Sequence, residues 1–204
     1  GWQMEMETPR ALMRRLGEPM AQIPAVHVAG TNGKGSMVEM IAGILSASGL
    51  RVGIYTSPHL VRLTERVRVA GREASPALLA VCLEEVRASC RNLGTPRHPS
   101  FFECITAAAF LAFKEEQIQV AVIETGLGGR LDATRFLPWT LVQAFGPTGL
   151  EHQDRLGKTL ELIAGEKAAI MTSGVPAVSA PQPGGARAVF LRRSAQSRSL
   201  YLEG

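Results

Sequence analysis

The sequence predicts an α/β protein built on a doubly wound, mostly parallel sheet that carries a phosphate-binding loop. Three observations lead there. Short apolar runs alternate with longer segments of helical periodicity. Several of the runs are apolar at nearly every position, as strands buried on both faces are. After the first run comes HVAGTNGKGSMVEMIAG, His27 to Gly43, in which a lysine and a serine are set among four glycines just before a helical pattern.

The strands expected are Ala25 to Val28, Val52 to Thr56, Val120 to Glu124, Leu141 to Phe145 and Ala177 to Ser179. Helices lie between them. Ser36 to Ser48 places Met37, Ile41, Ile44 and Leu45 on one face and stops at Gly49. Ser75-Pro76 reads as an N-cap followed by proline at the first helical position, with Leu79, Cys82, Leu83 and Val86 facing inward. Ser100 and Glu103 form a capping box ahead of an Ala- and Phe-rich helix, and a last helix runs from about Thr159 to Met171. A looser Pro/Gly stretch, Pro181 to Gly185, follows.

Composition narrows the classes. At 204 residues, 46% hydrophobic and 20% charged, the chain is long enough for one α/β domain with a real core. It has neither an apolar run of membrane-spanning length nor a signal pattern, so the expectation is a cytoplasmic protein with no membrane partner. Cys82, Cys90 and Cys104 form no CxxC and read as buried small apolar groups in a reducing compartment. The net charge of +4 is spread along the chain without interleaved aromatics, which favours an anionic small ligand over nucleic acid. Gly1 is not an initiator methionine.

The glycine-rich segment carries chemistry. A chain that turns sharply after a buried strand and enters a helix turns several backbone N–H groups to one concave side, where the helix N-terminus adds partial positive charge. Gly30, Thr31, Asn32, Gly33, Lys34, Gly35 and Ser36 would form such a phosphate cradle, with Lys34 on the β/γ-phosphates and the Ser36 hydroxyl, first on the helix, on Mg²⁺. Gly35 separates lysine from serine, unlike the common GxxxxGK[ST] pattern.

GTNGKGS, YTSPHLVRLTERVRV, SFFECITAAAF, VIETGLGGRLDAT, GLEHQDRLG and EKAAIM follow one another in register. Together they resemble the folylpolyglutamate synthase/dihydrofolate synthase branch of the Mur-ligase-like ATP-dependent amide ligases, from about Arg10 to Gln182. The resemblance implies a ligase that adds L-glutamate to a folate or dihydropteroate carboxylate through an acyl phosphate, using ATP and two Mg²⁺ ions, and acting as a monomer when full length. Two alternatives stay open: a cell-wall Mur-type peptide ligase and a non-catalytic nucleotide-binding remnant.

By the same resemblance Lys34, His152 and Lys167 are catalytic, and Ser36, Glu124, His152 and Lys167 hold metal, with Lys167 carbamylated. A lone lysine on an apolar helix is otherwise a snorkelling surface residue. Glu124 ends an apolar strand, where ligands bind in open parallel sheets. The resemblance places the folate at Ser57, Pro58, His59, Arg66, Ser100, Phe102, Asp132 and Ala133. Phe102 would stack on a flat ring or belong to the core, and Asp132 would accept hydrogen bonds from a pterin.

Departures from the resemblance fall at Arg135, where asparagine is usual, and at Pro147 and Glu151 in AFGPTGLEH. Residues 1–204 would be part of an N-terminal ATP-binding domain, with the C-terminal ligase domain absent and this chain alone inactive. The tail after Ala186 resembles a helix and a strand of the continuing first domain.

Overall fold

The computed structural model describes residues 2–204, with side chains from Met6 onward. Eight strands form one sheet in the order β4-β3-β2-β5-β1-β6-β7-β8. They are β1 (Ala25–Ala29), β2 (Val52–Tyr55), β3 (Val67–Val69), β4 (Arg72–Glu73), β5 (Val120–Glu124), β6 (Thr140–Phe145), β7 (Ala177–Ser179) and β8 (Tyr201–Glu203). From β2 to β8 every neighbouring pair is parallel, whereas β3 and β4 extend the other edge as an antiparallel hairpin.

All five expected strands are present within a residue of their bounds. The hairpin is an addition. Its turn runs through Ala70 and Gly71, both at positive φ, 48° and 79°. An alanine at a position that usually takes glycine or asparagine gives little turn signal, and strands of three and two residues are too short to show alternation.

The helices are α1 (Trp2–Arg15), α2 (Lys34–Ala47), α3 (Pro76–Cys90), α4 (Phe101–Glu115), α5 (Gln153–Leu156), α6 (Leu160–Ala168) and α7 (Gly184–Ser197). The caps read from the sequence hold their helices as expected. Ser75 accepts from the Leu78 N–H and Ser100 from Glu103 in a reciprocal box; Thr159, not read as a cap, likewise accepts from Leu162 at the start of α6, which ends at Ala168 and not at Met171. Two details differ. Helix α2 starts at Lys34, because Gly33 at φ 77° turns the chain directly into it, so Ser36 is its third residue rather than its first. Helix α1 is a second addition, since Pro9 inside it masks the helical pattern.

The two faces of the sheet are covered unequally. On one, Leu12 and Met13 of α1, Leu79 and Val86 of α3 and the nearly fully buried α4 pack over β2 and β5. The same face carries α6 and α7 over Phe145 and Ala177. The other face holds α2, with Val38 and Ala42 against Val26, Val28, Val52 and Val122. There Val178 and Leu202, paired in register on β7 and β8, are 43% and 54% exposed. Of the cysteines, Cys82 is buried, while Cys90 and Cys104 are only partly so and touch each other; all three are free thiols. Among the described residues no helix is long and apolar enough to cross a membrane.

Candidate nucleotide and folate site

The carboxyl ends of β1, β2, β5 and β6 lie side by side, and the loops that leave them make the site. The loop after β1 is held shut by close backbone approaches. A Cβ on Gly30 would stand 2.9 Å from the Gly146 Cα, and one on Gly146 would stand 2.5 Å from the Asn32 carbonyl oxygen. Only glycine allows the β1 and β6 loops to touch in this way. The unusual Pro147 fits the contact: its carbonyl accepts the Thr31 N–H at 3.1 Å, and the Thr31 hydroxyl bridges the Gly149 N–H and carbonyl.

Two lysines converge on one carbonyl. Lys34 Nζ donates to the Gly30 oxygen at 3.0 Å and to Thr31 at 3.2 Å. Lys167, 137 residues along the chain from Gly30, donates to the same oxygen at 3.0 Å and to the Glu151 carboxylate. Lys167 is 1% exposed, so it is no snorkelling surface residue. Burial pushes its pKa down, the Glu151 charge opposes that, and the Lys34 charge adds to it. Lys34, His152, Lys167, Gly30 and Glu151 line a cleft of only about 30 Å³.

Glu124 ends β5, 4% exposed. Burial raises its pKa, and among the described residues its carboxylate accepts one hydrogen bond, a long 3.3 Å contact from the Ser57 N–H. His152 is exposed, at φ 42°, just ahead of α5, and Ser36 is exposed on α2. Among the described residues no three His, Cys, Asp or Glu side chains cluster as a metal site. The donor chemistry nonetheless suits a hard cation, because Glu124 keeps a buried carboxylate with almost no partners.

Beside the cleft opens a cavity of about 800 Å³, also lined by Lys34 and His152. Seven of the eight residues expected at the folate line it: Ser57, Pro58, Arg66, Ser100, Phe102, Asp132 and Ala133. His59 stands behind Arg66, accepting from its Nε at 2.8 Å. The Phe102 ring closes on Gly126, where a Cβ would stand 2.3 Å away, and lies 6.1 Å from Tyr55; it is wall and core edge together.

Asp132 is largely engaged within its own loop. Its oxygens accept from the Leu127 N–H and Thr134 N–H, each at 2.9 Å, and from the Thr134 hydroxyl at 2.6 Å. A carboxylate has about four acceptor positions, so little is left for a ligand. Because Thr134 spends its proton on Asp132, its oxygen accepts from His27 Nε2 at 2.8 Å. Burial, reinforced by the Arg135 charge, keeps His27 neutral and pulls its pKa down to about 3.

Gly126, Leu127, Arg155 and Glu166 also line the cavity and escaped the sequence reading. All four lie inside motifs that carry the resemblance: Gly126 and Leu127 in VIETGLGGRLDAT, Arg155 in GLEHQDRLG and Glu166 in EKAAIM.

No protein-family model matches the chain. The chain is 40% identical over 174 residues to the dihydrofolate synthase/folylpolyglutamate synthase of Bacillus subtilis, an alignment spanning 84% of this chain and 40% of that protein. The apo structure of the L. casei folylpolyglutamate synthase superposes with a TM-score of 0.92 at 37% identity, over 97% of this chain and 49% of the other. The chain belongs to the folylpolyglutamate synthase/dihydrofolate synthase family. It spans about 40% of that curated relative's length. A structure of a folylpolyglutamate synthase complexed with AMPPCP and folate matches all of this chain and half of its own, with a TM-score of 0.93 at 36% identity.

Proposed function

We propose that this chain forms the ATP- and folate-binding part of a ligase that joins L-glutamate to the carboxylate of a folate or dihydropteroate. The supporting observation is that Lys34 and His152 line both the phosphate-loop cleft and the large cavity. A terminal phosphate in the first and a carboxylate reaching out of the second would meet between them. The related folylpolyglutamate synthase that binds AMPPCP and folate together agrees with that pairing of ligands.

A carboxylate is a poor acyl donor, so phosphoryl transfer to it precedes attack by the glutamate amine. That transfer depends on position and on neutralising charge. Lys34 would leave the Gly30 and Thr31 carbonyls and turn its ammonium to the β/γ-phosphates, while the N–H groups of residues 31 to 36 bind the phosphate oxygens. Glu124, with Ser36 and His152, would hold Mg²⁺, which when bound offsets the triphosphate charge. Lys167 would carry a carbamate: its burial favours the neutral amine that must react with CO₂, and Glu151 would have to release it first. Amide formation also requires glutamate held against the acyl phosphate with water excluded, so this chain alone is expected to bind ligands without turnover.

The test is ADP release by a version extended to the length of its relatives, with ATP, Mg²⁺, glutamate and a reduced folate or dihydropteroate. Folate-dependent turnover that vanishes in Lys34→Ala supports the reading. Turnover with a nucleotide-linked muramyl substrate instead, or none with either although nucleotide binds, overturns it. Lys167→Ala should abolish ligation, with partial rescue by short carboxylic acids. Normal turnover by that variant, together with indifference to bicarbonate depletion, would rule out the carbamate.

A further inference from the structure

A second cavity, of about 370 Å³, opens between the loop after β5 and helices α6 and α7. Arg130 and Arg135 from the loop and Arg192 and Arg193 from α7 line it, and Ala168 and Val189 give it an apolar floor. One carboxylate answers these four guanidinium groups. Arg130 Nε pairs with Glu166 at 2.9 Å, and among the described residues no ion pair engages Arg135, Arg192 or Arg193.

The remaining donors are underused. Arg135 gives Nη1 to the Arg130 carbonyl at 2.9 Å, and Arg193 gives Nη2 to Met171 at 3.1 Å. The Arg193 Nε–H is buried with no partner, which is costly unless a ligand supplies an acceptor. Although Arg135 is exposed as a residue, the packing around its guanidinium, and then the charges of Arg193, Arg130 and Arg10, hold its pKa below the usual range. Burial is the larger cause and the neighbouring like charges add to it, with Glu166 the one carboxylate paired to the four arginines among the described residues.

We propose that this cavity binds a compact multivalent anion that presents phosphate or carboxylate oxygens to several guanidinium groups at once. Planar guanidinium forks match both oxygen pairs, and the volume lies at the small end of the roughly 300–1,000 Å³ typical of small-molecule sites. The site is separate from the large cavity but touches it through one ion pair, because Glu166 lines the large cavity while Arg130 lines this one. An anion that draws Arg130 away frees the Glu166 carboxylate, so occupancy here changes the charge of the cavity next door.

The experiment is calorimetric titration and thermal melting of the chain in a Lys34→Ala background, which removes the phosphate-loop cation. Inorganic tripolyphosphate is compared with triglutamate, and both with sodium chloride at matched ionic strength. One or both multivalent anions should bind and raise Tm beyond the chloride effect, and which one does so identifies phosphate or carboxylate as the ligand group. Arg135→Asn combined with Arg192→Gln, two exposed positions whose replacement leaves the core intact, should weaken that binding at least tenfold. Stabilisation no greater than that of chloride, or binding unchanged in the double variant, overturns the proposal.

Discussion

The phosphate-loop cleft and the large cavity share Lys34 and His152, yet they are built in opposite ways. The cleft is closed on itself: two ammonium groups rest on one backbone carbonyl, and about 30 Å³ is left. The cavity stands open at about 800 Å³, its walls fixed by bonds that owe nothing to a ligand, such as the Ser100–Glu103 cap and the Asp132 network. On the proposed reading a flat organic substrate would find a finished wall, whereas a nucleotide would first have to displace Lys34 from the carbonyls that hold it.

The largest effect that would break this contrast is at Lys34. In a full-length enzyme Lys34→Ala should cut ligation by about 10³-fold, the scale of losing one charge-stabilising donor, while leaving Tm nearly unchanged. Steady-state ADP release and a melting curve check both halves. Next comes Gly126→Ala. A methyl group 2.3 Å from the Phe102 ring must displace the ring, which lines the cavity. Overpacking of this kind costs about 1–3 kcal/mol, and because the ring lines the cavity while Gly126 borders both compartments, folate affinity should fall tenfold or more and nucleotide affinity by clearly less. Equal losses for both ligands would mean that the two compartments are one.

His27 sets a smaller, pH-dependent effect. Its folded pKa of about 3 lies below the unfolded 6.5, so the native state binds fewer protons. Its contribution is intact above pH 6.5 and is lost as pH falls toward 3, reaching about 2 kcal/mol at pH 5. Denaturant midpoints measured from pH 7 to pH 4 should show this slope, and His27→Gln should flatten it. Smallest is Ser36→Ala, on an exposed side chain: about tenfold weaker Mg²⁺-dependent nucleotide binding, read as a displaced magnesium titration, with no change in stability.

What the sequence made legible follows from range. Ser75 and Ser100 announce helix starts because each side chain bonds a backbone N–H three residues on. The strands are visible because burial on both faces demands apolar runs, as in Val120 to Ile123. The phosphate loop is likewise one continuous segment. The partnership of Lys167 with Glu151 and Gly30 and the gathering of four arginines at α7 and the loop after β5 depend on chain positions far apart. No local pattern announces them. Most of the large cavity's wall was reached only because whole motifs resemble a family, which carries three-dimensional information that periodicity lacks.

The uneven covering of the sheet sets the order in which its strands let go. β1 and β5 are packed on both faces and flanked by strands on both sides, so their amides open only with the whole domain. β7 and β8 have helices on one face and partly exposed Val178 and Leu202 on the other, and β8 is the outermost strand among the described residues. With fewer apolar contacts to break, that corner of this chain is expected to exchange its backbone hydrogens through local opening before the centre does, which amide exchange would read directly. The arginine-lined cavity rests on α7, the helix that packs over this corner, so an anion bound there would also slow the clock of the corner beneath it.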